Sequence, residues 1–263
     1  MTNMYYIDSP IESFTSDFYN TSHPKIDGLN SLGFRSDEFT KIHNKKHVLF
    51  AGCSNTFGLG LEKEELWSWQ TYKKIKNSND CSGFFNIGSI GIGITQIVVN
   101  IFKYCKEYGN PNVIFINLSN QNRMFYYSKN KKEYILKIYD DNNLKDIELL
   151  NYQYYFMLEQ YCLSNNIKLY SFSWDTNEND HINNKEVSKT TNTLFKEYKF
   201  KTFYYYDFNL MLNDLYNLES SKKFSSDYFL IARDGRHHGV GFNYLWSNFI
   251  YNKYVEDKYD KKN

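Results

Sequence analysis

The sequence lacks a long apolar run: no stretch approaches the roughly 20 residues needed to span a bilayer. Its first 20 residues carry acids and aromatics and lack the basic-then-apolar order of a secretion signal. Together these absences favour a cytoplasmic or virion-associated protein over a secreted or membrane-embedded one. An excess of charge is missing too, with Lys+Arg 31 against Asp+Glu 30. A balance that close leaves no electrostatic footprint for nucleic acid or an anionic membrane surface. Cysteine is sparse, and Cys53, Cys81, Cys105 and Cys162 form no CxxC pair. In a reducing compartment such scattered thiols are expected to be buried small hydrophobes, not disulfides or metal ligands. Proline numbers only 3 beside abundant Lys, Asn, Ile and Tyr, which points to an AT-rich genome more than to any function.

What is present is packing material. Aromatics make up 19% of 263 residues, enough for a real core in one large domain. Residues 1–45 read as an irregular N-terminal extension packing on the core, with turn signals at Ser9-Pro10, His23-Pro24 and Asp27-Gly28. From residue 46 to 263 the pattern alternates. His47 to Gly52 is a short apolar run ending in glycine, expected to be a buried strand. Helical spacing follows from Leu66 to Ile75, then a second strand from Phe84 to Gly88. A helix over Ile94–Tyr108, ended by Gly109-Asn110-Pro111, leads to a third strand over Val113–Leu118. An insertion over about residues 125–148 is dense in Lys, Asn and Asp and suggests a hairpin from Tyr134 to Tyr139. A helix from Leu149 to Ser164, a fourth strand from Lys168 to Trp174, a fifth over Phe203–Tyr206 and a closing helix over Gly239–Tyr254 complete the reading. Strands alternating with helices imply a three-layer α/β/α sandwich with a mainly parallel, flavodoxin-like five-stranded sheet.

In an open α/β sheet, function gathers at the carboxyl ends of the strands. The first strand ends in Gly52-Cys53-Ser54-Asn55-Thr56-Phe57-Gly58. A serine there has an exposed hydroxyl with a backbone N–H nearby, as an acyl-transfer nucleophile requires, though the same position also suits a helix cap. The second strand ends in Asn86-Ile87-Gly88-Ser89-Ile90-Gly91-Ile92-Gly93. These glycines allow a tight turn with N–H groups free to face an oxyanion, or a turn that is purely structural. The spacing is not that of a dinucleotide loop. The third strand ends in Leu118-Ser119-Asn120-Gln121-Asn122-Arg123, where an Asn amide offers donors to an oxyanion. Asp234-Gly235-Arg236-His237-His238 precedes the last helix. Asp234 and His237 are three apart, so on one turn the carboxylate reaches Nδ1 and leaves Nε2 to accept a proton from a serine. A carboxylate beside two histidines also suits a metal, but no second ligand cluster accompanies them.

Taken in order, Gly52-Cys53-Ser54, Asn86-Ile87-Gly88-Ser89-Ile90-Gly91, a degenerate Ser119-Asn120-Gln121 and Asp234-Gly235-Arg236-His237 resemble the four blocks of the SGNH (GDSL-like) hydrolases. The resemblance spans about residues 47 to 252. The upstream Asn30-Ser31-Leu32-Gly33-Phe34-Arg35-Ser36 is similar to the lead-in of some phage-encoded members. The resemblance implies Ser54 as nucleophile, His237 as general base and then acid, and Asp234 as its orienting partner. It implies an oxyanion hole from the N–H groups of Ser54 and Gly91 and the side chain of Asn120, with no cofactor and no metal. Cys53 stands where the family has Asp, and the third block lacks its Gly and final Asp, so Asn122 is an alternative to Asn120. On an extended strand end the Cys53 side chain points away from that of Ser54. The implied activity is ester hydrolysis on a small-molecule or carbohydrate ester, for instance an O-acetyl group. The aromatic stretch Tyr126–Asn143 could then wall the cleft. The eroded third block also fits a non-catalytic SGNH-fold module, such as a carbohydrate-binding part of a virion. A nucleotide-binding domain would need a phosphate loop, and none is present.

Overall fold

The computed structural model describes residues 28–41, 46–77, 81, 83–119, 123–128, 133–138, 144–173, 200–204, 208–221, 228–233, 235 and 237–260. Four parallel strands form the centre: β1 (Val48–Gly52), β2 (Phe84–Asn86), β3 (Val113–Leu118) and β6 (Lys168–Ser173), in spatial order β2-β1-β3-β6. The connecting helices are α1 (Ser54–Phe57), α2 (Trp67–Asn77), α3 (Ile94–Tyr108) and α4 (Leu144–Ser164). Two further helices, α5 (Phe208–Ser220) and α6 (Val240–Asp260), follow β6. The hairpin β4 (Arg123–Ser128) and β5 (Glu133–Ile138) stands apart as a two-stranded antiparallel sheet.

Near-continuous apolar runs make these central strands, because a parallel sheet is covered on both faces. Alternate residues feed two cores. Leu49, Ala51, Ile114, Ile116 and Leu169 pack with Ile97, Val98 and Ile101 of α3 and Tyr155 and Leu158 of α4. Val48, Phe50, Phe115, Tyr170 and Phe172 pack with Trp67 and Ile75 of α2 and Trp246, Ile250 and Tyr254 of α6. The register pairs Phe50 with Phe115 and Phe115 with Tyr170. On the second face these rings form a ladder across the sheet, stacked at 5.4 Å and 5.2 Å, and Tyr204 continues it at 5.7 Å from Tyr170. Offset stacking of this kind contributes about 0.5–1.5 kcal/mol per pair beyond buried area.

The three-layer sandwich is present, with one difference in strand count. The expected fifth strand at Phe203 is a single parallel bridge to Ser171 among the described residues. Tyr205 and Tyr206 of that expected strand lie outside the described residues, and just before it the N–H groups of Lys201 and Thr202 donate to Glu159 Oε1 at 2.9 and 3.1 Å. The helix expected from Leu149 begins at Leu144, the hairpin expected from Tyr134 opens at Arg123, and the closing helix runs on to Asp260. Helix α5 has no counterpart in the sequence reading. Cys53, Cys105 and Cys162 are buried and Cys81 is partly so. Burial pushes the Cys105 and Cys162 thiols up, to about 11 and about 12, so neither carries thiolate character near neutral pH. No helix among the described residues is long and apolar enough to cross a membrane.

Upstream of the sheet, Arg35 is buried and its Nη1 donates to the carbonyls of Gly58 and Leu61, both at 2.8 Å. Ser36 Oγ donates to the carbonyl of Phe84 at 3.1 Å, and Asp37 N–H to the same oxygen at 3.0 Å. Residues 28–41 thus brace both the turn that carries Ser54 and the outer strand β2.

Candidate active site

The turn after β1 is shaped by what cannot fit there. A Cβ on Gly52 would lie 2.0 Å from Thr56 Oγ1 and 2.6 Å from the carbonyl oxygen of Asn117, its neighbour on β3. Only glycine lets the chain turn this tightly against the strand beside it. Cys53 then caps α1 in extended conformation with its side chain in the α3-side core, and Ser54 is the first helical residue. The helix stops after one turn because Gly58 adopts φ 87°. Ser54 is therefore not the helix cap. Its Oγ lies 2.9 Å from His237 Nε2, across 183 positions of chain. Which atom donates depends on the imidazole tautomer; with the proton on Nδ1, the serine hydroxyl donates to Nε2.

The chain closes back on itself on either side of His237. Ala232 N–H donates to the His237 carbonyl at 2.8 Å, Gly239 N–H donates to the Leu230 carbonyl at 2.8 Å, and Ile231 bridges His238 antiparallel. Gly235 supplies φ 71° within it. Arg233 anchors the loop from outside. Its N–H donates to the Gly60 carbonyl at 3.1 Å, and its guanidinium grips Glu65 with Nη1 at 2.5 Å and Nη2 at 2.9 Å. Bidentate pairing of this kind fixes geometry as well as charge. From the other side Asn243 of α6 holds the carbonyls of His238 and Gly239 through Nδ2, at 3.2 and 3.0 Å. Its Oδ1 accepts from the N–H of Trp67, the first residue of α2, at 3.0 Å.

The loop after β2 is tied to the turn that carries Ser54. Ser89 N–H donates to the Gly52 carbonyl at 3.0 Å. Asn86 is fully buried, and its Nδ2 donates to the Thr56 carbonyl at 2.9 Å while its Oδ1 accepts from Gly88 N–H at 2.8 Å. A Cβ on Gly88 would come within 2.6 Å of Phe57 N and 2.8 Å of Thr56 C. Gly91, at φ 76°, forms the turn that leads into α3.

Of the sequence-derived candidates, Ser54 and His237 are thus brought into contact, and Gly91 lies in the turn at the same end of the sheet. Asp234, Asn120 and Asn122 fall outside the described residues. His238, beside His237, packs edge-on against Phe242 at 4.5 Å and Trp246 at 5.1 Å. Burial, reinforced by the neighbouring His237, pushes it down to about 4, so it is neutral near pH 7. No cluster of three or more His, Cys, Asp or Glu able to hold a metal occurs among the described residues. Three positioning groups were not legible as such: Asn86, Arg233 and Asn243. Asn86 stands in the second block, but nothing in a sequence rich in Asn shows that its amide bonds two loops at once.

No family model and no curated protein matches the sequence. Solved structures to which the fold is similar include one described as TesA, at TM-score 0.46 and 13% identity over 79% of this chain and 97% of that one. Another is the psychrotrophic esterase EstA from Pseudoalteromonas sp., inhibited by monoethylphosphonate, at TM-score 0.43 and 12% identity over 80% of this chain and 97% of that one.

Proposed function

We propose that this protein is a serine hydrolase of the SGNH type that cleaves a carboxylic ester through an acyl-enzyme on Ser54. The observation that carries the reading is the 2.9 Å contact between Ser54 Oγ and His237 Nε2 at the carboxyl end of a parallel sheet. In the proposed reaction, Ser54 Oγ attacks the ester carbonyl carbon while His237 Nε2 takes its proton. The tetrahedral intermediate collapses, the carbon–oxygen bond to the alcohol breaks, and His237 returns the proton to the departing oxygen. Water, deprotonated by the same nitrogen, then attacks the acyl-enzyme, releasing the acid and restoring the Ser54 hydroxyl. Asp234 is proposed to orient the imidazole. The N–H groups of Ser54 and Gly91 and the amide of Asn120 are proposed to hold the oxyanion. Each such donor contributes on the order of 10²–10³ in rate in enzymes of this chemistry.

The test is hydrolysis of p-nitrophenyl acetate by wild type and Ser54→Ala, with a fluorophosphonate probe locating the labelled residue by mass spectrometry. Turnover lost in the variant, with the label on Ser54, supports the reading. Equal rates in the two proteins, or a label elsewhere, sink it. A carbohydrate O-acetate as substrate would draw on the wall expected from Tyr126 to Asn143, whose side chains lie outside the described residues.

A further inference from the structure

A cavity of about 330 Å³ opens beside His237. Its walls include Leu212 and Leu215 of α5, Leu230 and Ile231 of the loop, Phe242 of α6, and His237 and His238. The volume falls at the lower end for small-ligand sites, about 300–1,000 Å³. Leu230 and Ile231 are 45% and 55% exposed, and the nearby Leu210 is 60% exposed. Apolar side chains gathered at the mouth of a cavity mark a contact surface more often than chance exposure does. The polar groups here recognise no anion. His238 is neutral, and the carboxylate of Glu219, also on the lining, repels negative charge.

Resting on the hydrolase reading, we propose that this cavity receives the apolar alcohol portion of the ester, the group that leaves when the acyl-enzyme forms. The side is set by the proton. His237 must hand it to the leaving oxygen, so whatever is bonded to that oxygen lies along the imidazole. His237 is itself one of the cavity's lining residues, whereas Ser54 and the Gly88–Gly91 loop are not. A chain on the alcohol therefore runs from the departing oxygen past His237 between α5 and α6. The acyl portion extends on the opposite side, towards the loop after β2.

The experiment compares two ester series with the wild-type protein, following acid release by pH-stat titration. In one, the acid is acetate and the alcohol lengthens from ethyl to butyl to hexyl. In the other, the alcohol is ethyl and the acid lengthens from acetate to butyrate to hexanoate. Burial of a methylene raises kcat/KM by about fourfold when complete, and this half-open cavity predicts about two- to fourfold per methylene along the alcohol series only. Ile231→Ser and Leu230→Ser, at exposed positions, flatten that series, reducing hexyl acetate turnover more than ethyl acetate turnover. A rise confined to the acyl series, or two flat series, overturns the assignment while leaving ester hydrolysis standing. No turnover of any ester, with Ser54→Ala indistinguishable from wild type, removes the hydrolase reading and this assignment with it.

Discussion

Replacing Asn86 by alanine cuts two bonds that hold the loop after β2 to the turn that carries Ser54. The Thr56 carbonyl loses its donor at 2.9 Å and the Gly88 N–H loses its acceptor at 2.8 Å. Both residues are buried, so water cannot readily replace the amide. An orphaned buried partner costs about 1–3 kcal/mol, and two of them give an expected loss of about 2–6 kcal/mol, out of a total of about 5–15 kcal/mol for a folded domain. Urea denaturation of wild type and Asn86→Ala at pH 7.5 measures it as a shift in midpoint at constant slope. Asn86→Asp retains an acceptor for Gly88 but gives up the donor and buries a charge, so it too is destabilised. In the proposed hydrolase, turnover by Asn86→Ala falls by roughly 10–100-fold even where the protein is fully folded, because a small misplacement of the nucleophile is enough. A stability change below about 0.5 kcal/mol, with activity unaltered, would refute the view that this side chain couples the two loops.

Gly88→Ala places a methyl against the backbone of Thr56 and Phe57, and a loss of about 1–3 kcal/mol is expected by thermal or urea unfolding. Phe115→Ala removes the middle rung of the aromatic ladder between Phe50 and Tyr170 and should cost about 3–5 kcal/mol in the same measurement. His238 imposes a pH dependence with a definite sign. Its folded value of about 4 lies below an ordinary histidine's 6.5, so the unfolded chain binds the extra proton and stability falls as pH drops from about 6.5 towards 4. The full effect is about 3 kcal/mol, and His238→Phe should lose it. Parallel pH–stability curves for variant and wild type between pH 7 and 4.5 would contradict that assignment.

Much of the fold is readable from sequence because burial on both faces leaves a plain mark. Val113–Leu118 and Ile94–Tyr108 have the bounds that their apolar runs and the Gly109-Asn110-Pro111 stop signal suggest. Helix α5 left a weaker mark. Met211 and Leu215 are buried at helical spacing, yet Leu210 and Tyr216 face outward, and this mixture blurs the period. At the site, the order of Ser54 and His237 along the chain says nothing about their separation. The contact depends on Gly52, Gly58 and Gly235 bending the backbone and on Arg233 and Asn243 anchoring a loop. These are long-range bonds between common residue types, and no local pattern announces them.

The segment from Gly58 to Glu65 supports both halves of the Ser54–His237 pair. It receives Arg35 at Gly58 and Leu61, closes α1 through Gly58 N–H to the Ser54 carbonyl at 2.7 Å, and holds the histidine loop through Gly60 and Glu65. In hydrogen exchange, the amides of Gly58 and Arg233 should therefore open as one cooperative unit, with a common free energy and a common denaturant slope. Ser54 and His237 would then be released together in a single local opening, well before the sheet beneath them exchanges.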